Sequence, residues 1–385
     1  MSPVRVLSVF GTRPEAVKMA PVVRALECDP RFESVVCVTA QHREMLDEVL
    51  DFFGIAPRYD LDVMRPDQTL ADITTLVLQG LQAPLREARP DVVLVHGDTT
   101  TTLASTLAAF YAGVPVGHVE AGLRTGNLAA PFPEEGNRRL ADGLTRFCFA
   151  PTETGACHLR AEGVTEDRIF VTGNTVIDAL LDARARVARE GDRYASRLAA
   201  RGWRQRPGRR VVLITAHRRE SFGEGFVQIC QAIRVLAEQH PDVDFVYPVH
   251  LNPNVRGPVE TILAPASHRV HQESNLYLLD PLDYGTFVSL MDRCTLVLTD
   301  SGGIQEEAPS LGKPVLVMRE VTERPEAVEA GIVELVGADR GRIVAGVERL
   351  LADRAHYQRM SQAQSPYGDG HAAERIVQTL AEALG

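Results

Sequence analysis

An alternation of short β-rich apolar runs with segments of helical spacing is the feature that most constrains the fold of this chain. Each run is followed by apolar residues at the three- and four-residue intervals of an amphipathic helix. The first half contains the runs Val4–Phe10, Ser34–Thr39, Asp91–His96, Val114–Val119 and Arg146–Ala150. Strands and helices that alternate in this way form βαβ units, so we expect a parallel sheet covered by helices on both faces.

The alternation restarts after about residue 208, which indicates a second sheet. Its runs are Arg210–Thr215, Val243–Val249, Leu276–Leu279, Thr295–Thr299, Pro314–Met318 and Ile332–Val336. A length of 385 residues also fits two domains of ordinary size. We therefore predict an α/β fold of two Rossmann-like, doubly wound domains.

The segment Glu190–Arg210 lies between the two sets of runs. It is polar, rich in arginine and contains Gly202, Pro207 and Gly208. This composition is typical of an exposed connector. We therefore expect the domain boundary near residues 173–208.

Charge and hydropathy exclude several classes of protein. Lys and Arg total 41 against 51 for Asp and Glu, and the resulting net charge of −10 would repel a nucleic-acid backbone. The first ten residues lack a basic leader, and no stretch approaches the ~18–20 apolar residues of a membrane span. The six cysteines include no C-x-x-C pair, so we expect buried free thiols in a cytoplasmic protein.

In open α/β sheets, ligands bind beyond the carboxyl ends of the strands, so motifs that follow strands are candidate sites. Gly11-Thr12-Arg13-Pro14-Glu15 follows the first predicted strand. Glycine permits a tight turn, and Arg13 beside a helix N-terminus would bind a phosphate or a carboxylate. An ordinary turn with a solvated Arg13 explains the same residues equally well.

Asp300-Ser301-Gly302-Gly303 follows the run Thr295–Thr299 and opens a predicted helix. Small residues let backbone N–H groups approach an anion, and the helix dipole adds about half a positive charge. This segment is suited to a diphosphate. Glu306 and Glu307 follow in the first turn, where a carboxylate either stabilises the dipole or accepts hydroxyl hydrogen bonds from a ribose.

Three strand-end motifs place carboxylates together. They are His96-Gly97-Asp98-Thr99, His118-Val119-Glu120-Ala121-Gly122 and Pro133-Glu134-Glu135. Acids that converge raise one another's pKa and serve as general acid and base. A lone Asp98 would be interpreted as the N-cap of the following helix, but three acids in equivalent positions favour catalysis.

His217-Arg218-Arg219-Glu220 follows the first run of the second half. Its imidazole and two guanidiniums would neutralise a departing phosphate. The H-x-x-E spacing differs from H-E-x-x-H, so we predict no metal site.

Several common motifs are missing from the sequence: G-x-x-x-x-G-K-[ST], G-x-S-x-G and a strand-borne G-x-G-x-x-G. The string GDGHAA at 368–373 matches a relaxed dinucleotide pattern, but it follows Pro366-Tyr367 instead of a strand. We therefore predict no nicotinamide cofactor.

Taken together, these residues resemble the non-hydrolysing UDP-N-acetylglucosamine 2-epimerases of bacterial cell-envelope polysaccharide synthesis. The similarity runs almost the whole length of the chain. It includes GTRPEA at 11–16, KMAP at 18–21, TAQHREML at 39–46, HGDTTTT at 96–102, HVEAGLRTG at 118–126, TGNTVIDAL at 172–180, AHRRESFG at 216–223, YPVHLNPNVR at 247–256, TDSGGIQEEAPSLGKPV at 299–315, TERPEA at 322–327 and PYGDG at 366–370.

The resemblance implies a glycosyltransferase-B type fold with the active site in a cleft between two Rossmann-like domains. It assigns residues 1–173 and the C-terminal helix 367–385 to an N-terminal domain with the catalytic carboxylates. Residues 174–366 would form the UDP-binding domain. The family uses no nicotinamide cofactor, and its ligands are UDP-N-acetylglucosamine and UDP. The resemblance also implies a homodimer.

The resemblance also implies roles for individual residues. Asp98, Glu120 and Glu134 match the catalytic carboxylates, and His217 matches the histidine that assists UDP departure. Substrate contacts are implied for Arg13, Lys18, Phe287, Ser301, Gly302, Gly303, Glu307 and Arg324. Some members bind a second UDP-N-acetylglucosamine as an activator, through residues that match Gln41, His42, Arg218 and His250. Asp67 stands near a position that is basic in that activator site.

The implied reaction inverts carbon 2 of the sugar, whose hydrogen is not next to a carbonyl. It needs either transient oxidation by a nicotinamide or expulsion of UDP from carbon 1, and the missing dinucleotide motif favours expulsion. A glycosyltransferase of the same fold would need an acceptor groove and usually one base. A hydrolysing epimerase would release UDP and free N-acetylmannosamine, and a nucleotide-sugar binding protein would need no acid–base set.

Overall fold

The computed structural model describes residues 2–40, 43–264, 274–322, 324–363 and 365–385. The chain forms two compact units. Unit 1 comprises Met1–Asp182 and Tyr367–Gly385, and unit 2 comprises Ala183–Pro366. Each unit contains one parallel sheet whose strands alternate with helices. The predicted α/β fold with two doubly wound sheets is confirmed.

The strands of unit 1 are β1 (Val4–Phe10), β2 (Phe32–Val38), β3 (Tyr59–Asp60), β4 (Val92–His96), β5 (Val116–Val119), β6 (Phe147–Ala150) and β7 (Ile169–Val171). Its helices up to the unit boundary are α1 (Arg13–Cys28), α2 (Arg43–Phe53), α3 (Leu70–Gly80), α4 (Gln82–Ala88), α5 (Thr100–Tyr111), α6 (Glu134–Leu144), α7 (Glu153–Ala161) and α8 (Thr175–Arg189). The strand order is β3-β2-β1-β4-β5-β6-β7.

The strands of unit 2 are β8 (Arg210–Thr215), β9 (Val243–Pro248), β10 (Leu276–Leu279), β11 (Leu296–Thr299), β12 (Val315–Val317) and β13 (Val333–Leu335). Its helices are α9 (Gly191–Ala200), α10 (Glu224–Gln239), α11 (Pro253–Pro258), α12 (Tyr284–Arg293), α13 (Gly302–Ser310), α14 (Pro325–Glu329), α15 (Arg340–Ala352) and α16 (Arg354–Gln362). The strand order β10-β9-β8-β11-β12-β13 repeats the pattern of the first six strands of unit 1.

The sequence accounts for the central strands. The last five residues of β1 are buried, as are all residues of β4, because helices cover both faces of a parallel sheet. Helix α1 begins after Thr12, whose side chain forms a reciprocal capping box with Glu15. Pro14 lies in the first turn of this helix, where its missing N–H has no intrahelical partner to lose.

The last helix, α17 (Ala372–Leu384), belongs to unit 1 and packs against α1. Its buried face consists of Ala372, Ala373, Ile376, Val377 and Leu380. The carboxylate of Asp178 accepts the backbone N–H of Ala373 at 2.8 Å, which holds the start of this helix against α8. The end of the chain is thereby part of the core of unit 1.

The strand predictions agree with the structure to the residue for Val4–Phe10, Arg210–Thr215 and Leu276–Leu279. The other predicted strands agree within one or two residues at either end. The prediction missed β3 and β7, which have two and three residues and are too short to show a periodic pattern.

The prediction of an exposed connector over Glu190–Arg210 is correct in that most of these residues are exposed, but the segment is more than a connector. Ten of these residues form α9, which packs against α12, and Tyr194, Leu198 and Trp203 are buried. Widely spaced apolar residues are enough to anchor a polar helix, because one narrow stripe faces the core. The polar composition of the segment obscured that stripe.

Two further expectations can be compared with the described residues. None of their helices is long and apolar enough to cross a membrane. All six cysteines are free thiols, but Cys28 and Cys157 are exposed, so the expectation of buried thiols is correct for four of the six.

We predict that Ile376→Ala destabilises unit 1 by about 2–5 kcal/mol, because it leaves a cavity between α17 and α1. The only tryptophan of the sequence, Trp203, is buried in unit 2, so its fluorescence follows the unfolding of unit 2 separately. The midpoint of urea unfolding, monitored by circular dichroism, should shift to a lower urea concentration. The exposed Glu374→Ala on the same helix is the control, and an Ile376→Ala transition that coincides with it would contradict the packing role of α17.

Candidate active site

The predicted site residues lie where the strand order of each sheet reverses. In unit 1, β1 and β4 are neighbours, and the turns 11–13 and 97–99 follow them. In unit 2, β8 and β11 are neighbours, and the segments 216–218 and 300–303 follow them. Chains leave such a point towards opposite faces of the sheet, which opens a crevice for ligands.

The first turn of unit 1 is closed by its own glutamate. Glu15 is buried and accepts the backbone N–H groups of Gly11 and Thr12 at 2.9 and 2.7 Å. It also accepts the hydroxyl of Thr99 at 2.6 Å. Burial raises the pKa of Glu15, against the effect of these hydrogen bonds. Glu15 therefore occupies the N–H groups of Gly11 and Thr12, and the half-buried side chain of Arg13 remains the candidate contact for a phosphate or a carboxylate.

Asp98 and Glu120 are brought together by one guanidinium. Nη2 of Arg138 lies 2.6 Å from Oδ2 of Asp98 and 3.4 Å from Oε1 of Glu120. The interpretation of Asp98 as a helix N-cap is wrong. Thr99 is the N-cap of α5, and its hydroxyl accepts the backbone N–H of Thr102 at 3.2 Å.

Glu120 is the most enclosed of the three candidate carboxylates. It forms an ion pair with Lys18 and accepts a hydrogen bond from the amide of Asn174 at 3.3 Å. Burial alone would raise the pKa of Glu120, but the charges of Lys18 and Arg138 outweigh burial and hold the pKa below its ordinary value. Glu120 is therefore a carboxylate that stays ionised.

His96 lies beside this carboxylate, with Nε2 3.8 Å from Oε2 of Glu120. Burial lowers the pKa of His96 to about 3, so the ring is neutral at physiological pH. Among the residues that the structure describes, neither ring nitrogen has a hydrogen-bond partner. The buried dipole of this neutral imidazole adds no net charge next to Glu120.

The structure separates the two acids of Pro133-Glu134-Glu135. Glu135 is buried and accepts the backbone N–H groups of Thr125 and Gly126 at 2.9 and 3.2 Å, so it holds the preceding loop. Glu134 is the first residue of α6 and is half-buried. Its Oε2 is buried without a hydrogen-bond partner within the described part of the chain, so this oxygen is an unsatisfied acceptor beside the other two carboxylates.

Sequence reasoning missed a buried, hydrogen-bonded histidine–aspartate pair behind these carboxylates. Nδ1 of His118 lies 2.6 Å from Oδ1 of Asp142, and Nε2 lies 2.7 Å from the carbonyl oxygen of Gly97. Both neighbours are acceptors, so both ring nitrogens donate only when the imidazole is protonated. Asp142 also accepts the N–H of Gly122 at 3.2 Å. The pair thus connects α6 with the turns that carry Asp98 and Glu120.

Unit 2 offers an open helix N-terminus where the sequence predicted a diphosphate site. Ser301 is the N-cap of α13 and forms no side-chain capping hydrogen bond. The guanidinium of Arg324 lies over Gly302, where an added Cβ would come within 2.6 Å of Nη1. Glu306 is buried and holds Arg324 through an ion pair of 2.7 Å. The guanidinium of Arg324 and the positive end of the helix dipole therefore meet here, while Glu306 offsets the charge of Arg324.

Glu307 is half-buried one residue further along α13. Its Oε1 folds back towards the helix start, since an added Cβ on Gly303 would lie 3.5 Å from it. The structure gives Glu306 a function that the sequence did not predict, and the two functions predicted for these acids stay open for Glu307. Glu306 positions a cation, and Glu307 presents its carboxylate beside the open helix end.

His217 stands at the end of β8, supported by Asp300. The carboxylate of Asp300 accepts the backbone N–H groups of His217 and Arg218, both at 2.7 Å, and its Oδ1 lies 3.6 Å from Nδ1 of His217. The ring of His217 stacks on His250, with centroids 5.3 Å apart. Burial lowers the pKa of His217 below its ordinary value, and Asp300 opposes this effect.

The remaining predicted residues have the following positions. Phe287 lies in the first turn of α12 and is half-buried, and His250 is exposed after β9. Gln41 and His42 lie outside the described residues. Lys18, Asp98 and Glu120 therefore form one cluster in unit 1, whereas His217, Arg218 and His250 form one in unit 2.

Sequence comparison places this chain among known proteins of one family. A sequence profile of the UDP-N-acetylglucosamine 2-epimerase family matches residues 24–381. The UDP-N-acetylglucosamine 2-epimerase of Escherichia coli K12 is 59% identical over 376 residues, which cover 98% of either chain.

Solved structures agree with this result. That of UDP-GlcNAc 2-epimerase from Neisseria meningitidis bound to UDP-GlcNAc is similar with a TM-score of 0.89 and 49% identity, covering 98% of this chain and 100% of the other. That of the Methanocaldococcus jannaschii enzyme in complex with UDP-GlcNAc and UDP has a TM-score of 0.80 and 31% identity, with the same coverage of 98% and 100%.

We predict that Gly302→Ala weakens pyrophosphate binding by about tenfold or more, because the added methyl group displaces the guanidinium of Arg324 and its charged hydrogen bonds. Isothermal titration calorimetry measures the affinity. Gly191→Ala on α9 of the same unit is the control, since nothing lies within 4 Å of its added Cβ. Equal affinities of Gly302→Ala and the wild-type protein would contradict the assignment of Arg324 to the anion site.

Proposed function

This chain belongs to the UDP-N-acetylglucosamine 2-epimerase family, and from that premise we propose how its residues perform the reaction. The enzyme interconverts UDP-N-acetylglucosamine and UDP-N-acetylmannosamine by inverting carbon 2 of the sugar. The observation that supports this chemistry best is the carboxylate cluster of unit 1. There, Asp98 and Glu120 share the guanidinium of Arg138, and Glu134 begins the same helix.

The hydrogen on carbon 2 is weakly acidic, so its removal as a proton requires that the electron pair of the C–H bond be stabilised. We infer that the pair forms a double bond between carbons 1 and 2 while the bond from carbon 1 to the UDP oxygen breaks. UDP leaves with the electron pair of the broken bond between carbon 1 and its oxygen. A carboxylic acid then protonates carbon 2 from the opposite face, and the UDP oxygen adds back to carbon 1.

The environments of the three carboxylates suggest different roles. Glu120 is held by Lys18, Arg138 and Asn174, and this makes it a poor proton acceptor. Asp98 is 35% exposed, and Glu134 has a buried oxygen with no partner in the described residues. We therefore assign the two proton transfers to Asp98 and Glu134, and assign to Glu120 the orientation of Lys18.

Unit 2 supplies the groups that hold UDP in this proposal. The helix start Ser301–Gly303 and Arg324 would bind the diphosphate, Glu307 the ribose hydroxyls and Phe287 the uracil. His217 would donate a hydrogen bond to the diphosphate as negative charge develops on the leaving oxygen. Arg13 and Lys18 of unit 1 are the further substrate contacts that the family resemblance implies.

The wider proposal rests on family resemblance. It assigns the carboxylate chemistry to residues 1–173 with 367–385 and nucleotide binding to 174–366. It includes a homodimer, a cytoplasmic location and the supply of UDP-N-acetylmannosamine for cell-envelope polysaccharide. A second UDP-N-acetylglucosamine would activate the enzyme through Gln41, His42, Arg218 and His250. The 5.3 Å stacking of His217 on His250 gives that activator site a direct contact with the leaving-group histidine.

Two isotope labels test the reaction. In deuterium oxide, product formed from UDP-N-acetylglucosamine should carry deuterium at carbon 2, because solvent-exchanging carboxyl groups deliver the proton. Oxygen-18 placed between carbon 1 and the β-phosphorus should scramble into non-bridging positions of the β-phosphate. NMR detects both labels. A bridging label that stays in place through many turnovers would rule out elimination, and release of free N-acetylmannosamine would identify a hydrolysing enzyme.

We predict that UDP binding takes up protons near pH 7. Burial lowers the pKa of His217, so its ring is neutral in the free enzyme, and the negative diphosphate then favours the protonated form. Calorimetry in buffers of different ionisation enthalpy measures this uptake. His217→Asn should abolish the uptake and lower kcat by about 10²-fold with a smaller change in KM, whereas His240→Asn should do neither. Binding enthalpies of the wild-type enzyme that do not depend on the buffer would contradict this role of His217.

A further inference from the structure

Helix α6 reaches back to the turns that carry the other two candidate carboxylates. The side-chain amide of Asn137 donates to the carbonyl oxygen of Asp98 at 2.9 Å. One turn further along, Asp142 accepts the backbone N–H of Gly122 at 3.2 Å. Between them, Arg138 contacts Asp98 and Glu120 directly. A single helix thus determines the position of both turns.

Arg138 is suited to more than charge neutralisation. Its side chain is 6% exposed, and Nη2 donates to the carboxylates of Asp98 and Glu120 while Nη1 donates to the backbone carbonyl of Glu120. A guanidinium is planar and permanently charged, so it fixes the directions of several acceptors at once. A lysine in its place would retain the charge but not this geometry.

The backbone contact has its own physical reason. Glu120 has a φ of +66°, in the left-handed region that costs energy for a residue with a side chain. This conformation follows directly after β5 and determines where the carboxylate of Glu120 lies. The hydrogen bond from Arg138 to the Glu120 carbonyl holds the peptide in that conformation.

The charge of Arg138 matters because two carboxylates share its one guanidinium nitrogen. Without the cation, the two negative groups would repel each other and the ionised form of Glu120 would be disfavoured. Glu134 is placed by the same helix, since residues four apart lie on one helix face and Glu134 and Arg138 are one turn apart. Arg138 therefore lies at the centre of the carboxylate cluster.

We propose that Arg138 is a positioning residue of the epimerisation, which sets the geometry and ionisation of Asp98 and Glu120 relative to Glu134. This inference rests on the proposed function. Arg138 acts through the carboxylates, so its loss affects the rate of proton transfer more than the binding of the nucleotide.

The test compares Arg138→Ala and Arg138→Lys with Arg139→Ala. Arg139 follows on the same helix, is 40% exposed and pairs with Glu162 at the surface, so its removal controls for general effects on α6. For Arg138→Ala we expect kcat to fall by about 10²-fold with little change in KM, and the acidic limb of the pH profile of kcat to move to higher pH. Added guanidinium ion should restore part of the rate of Arg138→Ala.

Arg138→Lys keeps the positive charge but changes its geometry, so it separates the two effects. It also remains informative if Arg138→Ala does not fold. We expect its acidic limb to stay close to that of the wild-type enzyme while kcat remains reduced, because an ammonium cannot bridge the same acceptors. The proposal is overturned if Arg138→Lys has full activity, or if Arg138→Ala loses activity only in proportion to its unfolded fraction with no shift of the limb and no rescue. A wild-type protein without epimerase activity would overturn the proposed function instead.

Discussion

Unit 1 depends on the compensation of negative charge buried at the carboxyl ends of its strands. An ionised carboxylate removed from water is very unfavourable unless cations or hydrogen-bond donors replace the water. Here Asp98 and Glu120 are compensated by Arg138, with Lys18 as a second cation for Glu120. Asp142 is compensated by the guanidinium of Arg124 and also hydrogen bonds to His118. The folded core therefore contains the charge pattern that the proposed chemistry uses.

The two units hold the turn after their first strand with different buried carboxylates. Both sheets reverse their strand order beside the first strand, and in both a buried carboxylate accepts two consecutive backbone N–H groups of the turn that follows. Glu15 does so for Gly11 and Thr12, and Asp300 does so for His217 and Arg218. In unit 1 this occupies the two N–H groups that precede α1. In unit 2 the closed turn is the one after β8, so the start of α13 stays open.

The sequence predicted which strand ends carry the candidate site, because strand periodicity and the carboxyl-end rule are local patterns. It did not predict the supporting residues. Arg138 and His118 are polar side chains whose role depends on what the folded chain places opposite them, 40 residues away in the case of Arg138 and Asp98. The one available signal was the four-residue spacing of Glu134 and Arg138, which a solvated helix face would show equally well.

Adjacent glutamates show most clearly why sequence pattern stops short of the site. Glu134-Glu135 and Glu306-Glu307 each lie near the start of a helix, and each motif leaves open which acid faces a ligand. Successive residues of an α-helix point about 100° apart, so one of each pair turns into the protein. In α6 that residue is Glu135, which holds the preceding loop, and in α13 it is Glu306, which holds Arg324. The helix phase therefore decides which acid of each pair turns into the protein, and a sequence motif does not specify that phase.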